Sequence, residues 1–272
     1  MTQQLVERYG DRIFNHVTTT EDERLSALAE ELDPASFRRL ESLPVRSDWR
    51  CLELGAGTGT VARRLADRCP AGSVTATDLD LQLVQSRREE QANLRWLHHD
   101  LTRDDFPPAS FDFIHARYLF CHLRSREPDL ARVVSWLAPG GWLMLEEPAA
   151  FPIESSPHPA YRATGMGVFT VLAERIGTDC RWPRALHDDV SGLGLEDVEM
   201  DIACSVVGGD LPMSRFWRLT IEQLDPALRA IEGITPAMIA ETRALLRDPG
   251  FRDLGMATIA VWGRRPGIPA RP

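Results

Sequence analysis

The chain has 272 residues, 43% of them hydrophobic and 26% charged, with 40 acidic against 31 basic side chains and a formal net charge of -9. This length accommodates one elaborated α/β domain or a domain with a small cap, and mixed composition without low-complexity tracts excludes extensive disorder. The acidic excess is spread along the chain, which disfavours nucleic acid as a partner, because polynucleotides are held by basic patches that release counterions.

Every basic residue is arginine and lysine is absent. That removes mechanisms built on a lysine Schiff base or lysine general base, pyridoxal phosphate chemistry included. Cys51, Cys69, Cys121, Cys180 and Cys204 are odd in number, widely spaced and never form Cys-x-x-Cys. Neither a disulfide framework nor a zinc knuckle is expected, and no metal. Met1 to Gln4 lead into charged residues without an apolar run. A signal peptide and a membrane span are therefore not expected, and the cytoplasm is the expected location.

In chain order, Thr20 with Glu23 reads as a capping box for a helix over 21–43 carrying Leu25, Leu28, Ala29 and Leu32 on one face. Asp33-Pro34 marks a break, followed by a short helix from Ser36 to Leu43. Strand and helix signals then alternate: Arg50 to Leu54, Thr60 to Arg68, Ser73 to Thr77, Leu81 to Gln91, Leu94 to His98, Phe111 to Ala116, a helix around Asp129 to Leu137, and Trp142 to Glu146. Such alternation predicts a parallel sheet covered by helices on both faces. Beyond Pro148 the spacing of Tyr161, Met166, Phe169, Leu172 and Ile176 predicts a lid helix, and Met213 to Leu224 and Pro236 to Arg247 further helices of a cap. Val198 to Val207 and Met256 to Gly263 read as strands. The expected organisation is a helical cover over 1–48, a core over 49–148, and the rest of the core with lid and cap helices over 149–272.

The strand Cys51 to Leu54 runs directly into Gly55-Ala56-Gly57-Thr58-Gly59 and an amphipathic helix. So tight a turn needs residues without a Cβ, and its amides suit a negatively polarised ligand group. The third glycine falls one position early for a dinucleotide fingerprint, and a structural strand-to-helix turn has the same requirements. Asp78, beside Leu79 at the end of the next strand, stands where an acidic side chain accepts from both ribose hydroxyls. Asp80 reads instead as a helix cap. His98 and His99 point to opposite faces of a strand and make a poor metal pair, whereas Asp100 with the Leu101 amide can read an adenine edge.

Taken in order, Glu53-Leu54-Gly55-Ala56-Gly57-Thr58-Gly59, Asp78, Asp100-Leu101, Phe111-Asp112-Phe113-Ile114 and Leu137-Ala138-Pro139-Gly140-Gly141 resemble the class I S-adenosylmethionine (SAM)-dependent methyltransferases. The resemblance implies a Rossmann-like sheet of seven strands, the last antiparallel and supplied by Met256 to Gly263. It implies that Gly55, Ala56, Gly57 and Gly59 wrap the amino-acid part of SAM, that Glu53 holds its ammonium, and that Asp78 with Leu79 takes the ribose. Asp100 and Leu101 would take the adenine, and Arg117 would border the sulfonium. Beyond about residue 148 the resemblance is diffuse; its general style is similar to bacterial methyltransferases of specialised metabolism.

The activity this implies is methyl transfer to a small molecule, expected to be an aromatic or heterocyclic natural-product intermediate, by a monomer or homodimer. Positioning of the acceptor dominates such a reaction. His122 is the candidate general base, with a structural histidine as the competing reading. Tyr9, Phe14 and His16 in the N-terminal cover, Phe169, Met213 and Trp217 in the lid and cap, and Glu146 at the end of the fifth core strand are candidate acceptor contacts; Phe216 belongs to the same aromatic group. Of the neighbouring carboxylates Glu146 and Glu147, one could bind an acceptor amine and the other be solvated. The alternatives are a nucleotide-dependent dehydrogenase and a protein that binds SAM without transferring its methyl group.

Overall fold

The strands are β1 (Arg50–Leu54), β2 (Ser73–Asp78), β3 (Leu94–His98), β4 (Phe111–Arg117), β5 (Leu137–Ala149), β6 (Glu196–Val207) and β7 (Asp253–Arg264), apolar runs for the most part, with β6 acidic in its first half and largely exposed. They belong to a computed structural model that describes residues 14, 19–85 and 91–267. The strands form one mixed sheet in the order β3-β2-β1-β4-β5-β7-β6, which is the expected seven-stranded α/β architecture. Neighbours from β3 to β5 run parallel. At the far edge a Cβ on Gly263 would meet Leu195 and Val198, whereas one on Gly255 would meet Ser205 and Val207. β6 and β7 are therefore antiparallel.

The chain leaves β1 for β2 and β3 on one side and then places β4 on the other. Strand order thus reverses between β1 and β4, and in open α/β sheets the crevice beyond the strand C-termini at this reversal receives the ligand.

Helices α1 (Thr19–Ser42), α2 (Thr60–Arg68), α3 (Gln82–Gln85), α4 (Arg126–Trp136), α5 (Phe151–Glu154), α6 (Pro159–Ile176), α7 (Leu186–Gly192), α8 (Pro212–Leu228) and α9 (Pro236–Leu245) complete the described elements, with 3-10 turns at Phe120–His122 and Trp182–Ala185. No described helix is long and apolar enough to cross a membrane.

Three local expectations are corrected. α1 starts at Thr19, so Thr20 lies inside its first turn, and it runs through Pro34 without the expected break. Residues flanking the proline are fastened by tertiary bonds: Asp33 Oδ1 accepts from Arg117 Nη2 at 2.9 Å and from Thr60 Oγ1 at 3.0 Å, and Ser36 Oγ accepts from Arg117 Nη1 at 2.9 Å. These bonds outweigh the roughly 3 kcal/mol that proline costs in a helix interior. β5 begins at Leu137 rather than Trp142, because Pro139-Gly140-Gly141 is a bulge within the strand, where pairing jumps from Phe111–Leu137 to Phe113–Trp142. Gly140, at φ 81°, donates its amide to Arg265 O at 2.9 Å. The third helix is described over Gln82–Gln85, with 86–90 outside the described residues. The short α5 and α7 were not expected from sequence, since one or two turns carry too few apolar repeats to show a period.

Two compact units make up the chain. One takes the described parts of 1–31 with 148–181 and 203–258; the other takes 32–147, 182–202 and the described parts of 259–272. The division differs from the expected one: both units are discontinuous in sequence, and the first boundary lies within α1. In the first unit α6 packs against α5, α8 and α9. Gly167 makes this close, since a Cβ there would lie 2.3 Å from Ile234 Cδ1, and Tyr161 donates its hydroxyl to Leu254 O at 2.8 Å. In the second unit, Leu40, Leu43 and Val45 join Val61 and Leu65 of α2 against Cys51, Val74, Phe113 and Met144 of the strands, a continuous buried core.

Candidate functional site

The strand β1 ends in Leu54, and the next five residues form the turn that sequence singled out. Gly55, Gly57 and Gly59 have φ of 64°, 53° and 77°, a left-handed region that side chains with a Cβ occupy at a cost. Each has a further reason to be glycine or to be open. A Cβ on Gly59 would fall 2.4 Å from the Trp96 ring and 2.8 Å from Arg63 Nη1, whereas one on Gly57 would meet nothing within 4 Å. The turn is therefore packed on its helix side and vacant at its middle, as a cradle for a ligand is. Ala56 donates its amide to Thr77 O at 2.8 Å, and Gly59 donates to Ala56 O at 2.8 Å.

Asp78, at the end of β2, accepts from the Gly57 amide at 2.8 Å and from the Asp80 amide at 3.1 Å. Its carboxylate thus sits against the middle of the turn. Asp80 accepts from the Gln82 amide at 2.8 Å, the capping role expected of it. Leu79 is exposed. At the end of β3 Asp100 is buried, accepting from the amide and hydroxyl of Thr102 at 2.9 and 2.6 Å, and Leu101 O accepts from Arg132. Beside them, buried His99 stacks on Phe106 with ring centroids 4.6 Å apart. Neither of its ring nitrogens has a hydrogen-bond partner among the described residues. Burial lowers its pKa, the neighbouring carboxylates offsetting only part of that effect. A buried imidazole with two orphaned nitrogens is costly unless something else hydrogen-bonds it.

The strongest electrostatic feature of the site lies at the strand reversal and was not foreseen. Glu53 of β1 stands opposite His115 of β4 in the parallel register. His115 is fully buried, its Nδ1 2.7 Å from Glu53 Oε2 and its Nε2 3.1 Å from Glu146 Oε2. Burial alone would lower the imidazole pKa, but the two carboxylates overcome it and raise it to about 9. Glu146 also accepts from Ser36 Oγ at 2.6 Å and from Arg39 Nη1 at 2.6 Å. Burial pushes its carboxyl up, yet His115, Arg117 and Ser36 outweigh that and hold it at about 2. Glu53 is raised, because burial exceeds what His115 and Arg117 supply. Arg39 continues the chain of charges to Asp201 through Nε at 2.8 Å.

Glu147, next along β5, is equally buried and belongs to a different cluster. It accepts from the backbone amides of Leu119, Phe120 and Cys121 at 3.3, 2.8 and 3.0 Å. Burial lifts it to about 7, the three amides countering only part of the effect. Those amides open the turn Phe120–His122, so Glu147 fixes the segment that carries the half-buried His122. Neither carboxylate is solvated, which corrects that expectation. Both Glu146 oxygens already hold protein donors, so its assignment as an acceptor contact gives way to a structural one. Arg117 is the last residue of β4, and its guanidinium is held by Asp33 and Ser36.

The remaining described candidates belong to the first unit. Phe14 is buried under the Arg24 guanidinium, 4.0 Å from its ring centroid, and the same guanidinium lies 5.0 Å from the Phe216 ring. Arg24 is held in turn by Glu21 at 2.7 and 2.8 Å. Met213 and Trp217 of α8 are fully buried, and Phe169 of α6 meets Trp217 edge-on at 5.7 Å. The indole Nε1 of Trp217 has no hydrogen-bond partner among the described residues. Tyr9 and His16 lie outside the described residues. Among the described residues no group of three or more His, Cys, Asp or Glu could hold a metal ion.

His115 could have been found from sequence. Central parallel strands are buried on both faces and read as apolar, so a glutamate in β1, a histidine in β4 and a glutamate in β5 each demand an ionic partner.

Residues 51–141 match the family described as a methyltransferase domain. The methyltransferase str3 of Strobilurus tenacellus is 31% identical over 131 residues, 48% of this chain and 46% of that protein. The trans-aconitate 2-methyltransferase of Azoarcus sp. is 27% identical over 130 residues, 48% and 51% of the two chains. The match thus spans about half the length of these curated relatives. Among solved structures, the YcgJ protein of Bacillus subtilis superposes over 85% of this chain and 98% of its own with a TM-score of 0.58 at 16% identity. Phosphoethanolamine N-methyltransferase 2 of Haemonchus contortus, in complex with S-adenosyl-L-methionine, does so over 90% and 52% with a TM-score of 0.53 at 16% identity. At such identities the shared property is the fold.

Proposed function

We propose that residues 51–141, which match a methyltransferase domain, are the cofactor-binding core of a class I SAM-dependent methyltransferase, and that the chain transfers the methyl group of SAM to a small-molecule acceptor. The observation that carries this reading is the glycine turn at the strand reversal, left-handed at Gly55, Gly57 and Gly59, open at Gly57, and fastened to the Asp78 carboxylate.

The residues present fit the ligand. Gly55 to Gly59 would take the amino-acid part against their amides, Glu53 its ammonium and Asp78 the ribose hydroxyls. Asp100 and Leu101 would take the adenine, with the orphaned nitrogens of His99 available to the same base. Bound SAM supplies a methyl group activated by its sulfonium. Everything else is the protein's part: holding an acceptor heteroatom in line and removing its proton. His122 is the proposed base, on a turn that Glu147 holds in place. The acceptor is proposed to be aromatic or heterocyclic, the class expected from the resemblance to methyltransferases of specialised metabolism.

Calorimetric titration with SAM and, separately, NAD tests the reading; NAD affinity without SAM affinity overturns it. Incubation with SAM and a panel of aromatic acceptors, followed by mass spectrometry, should give products heavier by one methyl group.

A further inference from the structure

The charged groups around β4 are unevenly hydrogen-bonded. The carboxylates of Glu53 on β1, Glu146 on β5, Asp33 on α1 and Asp201 on β6 face three cationic side chains, His115 and Arg117 of β4 and Arg39 of α1. With the imidazole charged and the half-exposed Asp201 left to solvent, the buried charges balance, but their hydrogen bonds do not. Glu146 uses both oxygens on Ser36, Arg39 and His115, and Asp33 is held by Arg117 and Thr60. Arg39 reaches Asp201, whose side chain is half exposed and so screened by solvent. Glu53 receives only His115, on Oε2, and its Oε1 has no hydrogen-bond partner among the described residues. That half-satisfied carboxylate stands two residues before the glycine turn.

We infer that His115 is a positioning residue: gripping Glu53 Oε2 through Nδ1, with Nε2 anchored on Glu146, it keeps Oε1 as the acceptor for the primary ammonium of the SAM amino-acid part. This rests on the SAM reading above and deepens it. The imidazole does not touch the reacting atoms. It fixes the carboxylate's rotamer, so that the ligand's ammonium finds a charge-assisted bond already oriented. A bond of this kind contributes about tenfold or more in affinity.

The geometry of the two nitrogens supplies the test. An asparagine amide at this position can replace Nδ1, and a glutamine amide can replace Nε2. His115→Asn should therefore keep the grip on Glu53 and bind SAM within about threefold of the parent, whereas His115→Gln should lose about tenfold. 5′-Methylthioadenosine has no amino-acid part, and both variants should bind it as the parent does. Equal SAM affinity in His115→Gln and the parent overturns the inference. So does a loss in His115→Gln that is matched for 5′-methylthioadenosine, which would mark general damage to the site. Failure of the parent to bind SAM at all refutes the SAM reading itself. Should the variants not fold, histidine ring 15N spectra of the unaltered protein decide the matter. One imidazole should stay doubly protonated at pH 8, and its Nδ1 signal should move on addition of SAM and not of 5′-methylthioadenosine. An Nδ1 signal indifferent to SAM overturns the inference.

Discussion

Two glycines of one turn separate folding from binding. Gly59 is packed, with a Cβ clash at 2.4 Å against Trp96, whereas Gly57 is strained only by its left-handed φ. Gly59→Ala is accordingly expected to cost about 2–4 kcal/mol of stability, from backbone strain plus overpacking, and Gly57→Ala only about 1 kcal/mol. Urea unfolding measures both. In calorimetry, Gly57→Ala should show the larger loss of SAM affinity per unit of stability lost, because its new methyl group projects into the open cradle. Asp78→Ala is expected to weaken SAM binding by about 1–3 kcal/mol; unchanged affinity would move the ribose contact elsewhere. These positions were legible in the sequence because left-handed turns select glycine and strand ends expose acids. His115 was legible as a histidine in a buried strand that needs an ionic partner, but which carboxylates supply it depends on the strands beside β4, and single-sequence periodicity does not contain strand order. Met213 and Trp217 show the converse ambiguity, since an apolar helix face looks the same whether it meets a ligand or a core.

At the level of elements, alternating apolar strands and amphipathic helices from Arg50 to Leu145 were readable, each stretch carrying its own period. The misreadings have local causes overridden by distant ones. Pro34 signals a break, yet Arg117 holds Asp33 and Ser36 on either side of it. Pro139-Gly140-Gly141 signals a loop, yet Arg265 keeps it in the sheet as a bulge. A similar long-range constraint acts just after β6, where Gly208 has φ 129° and a Cβ would fall 1.9 Å from the backbone oxygen of Phe251. Backbone cannot move aside as a side-chain tip can. Gly208→Ala should therefore lower stability by about 3 kcal/mol or more, visible as a lower midpoint in thermal melts, whereas Thr235→Ala, which removes the cap of α9 on the Met238 amide, should cost only about 1 kcal/mol.

For the whole molecule the buried ionisable groups set the pH dependence of stability. His115, at about 9 when folded, lies above its ordinary 6.5, so its contribution is complete below about pH 6.5 and is lost as pH rises through 9. Glu147, at about 7, lies above the ordinary 4.5, and its contribution likewise fades as pH rises through 7. Glu146, held at about 2, acts in the opposite sense and loses its contribution only as pH falls from 4.5 through 2. Stability should thus decline from pH 5.5 to 9, by about 3 kcal/mol through His115 and about 2 kcal/mol through Glu147. Urea unfolding across that range measures the decline, and Glu147→Gln should flatten its lower half. The same network constrains how the second unit comes apart. Ser36 and Glu146 are 110 residues apart in the chain, and Arg39 and Glu146 107. A state with the sheet formed and the 32–42 segment of α1 detached would leave Glu146 without its Ser36 and Arg39 donors, at a cost of several kcal/mol. Partial opening is thereby penalised, and amide hydrogens of that helical segment and of β1, β4 and β5 should exchange in a single cooperative step.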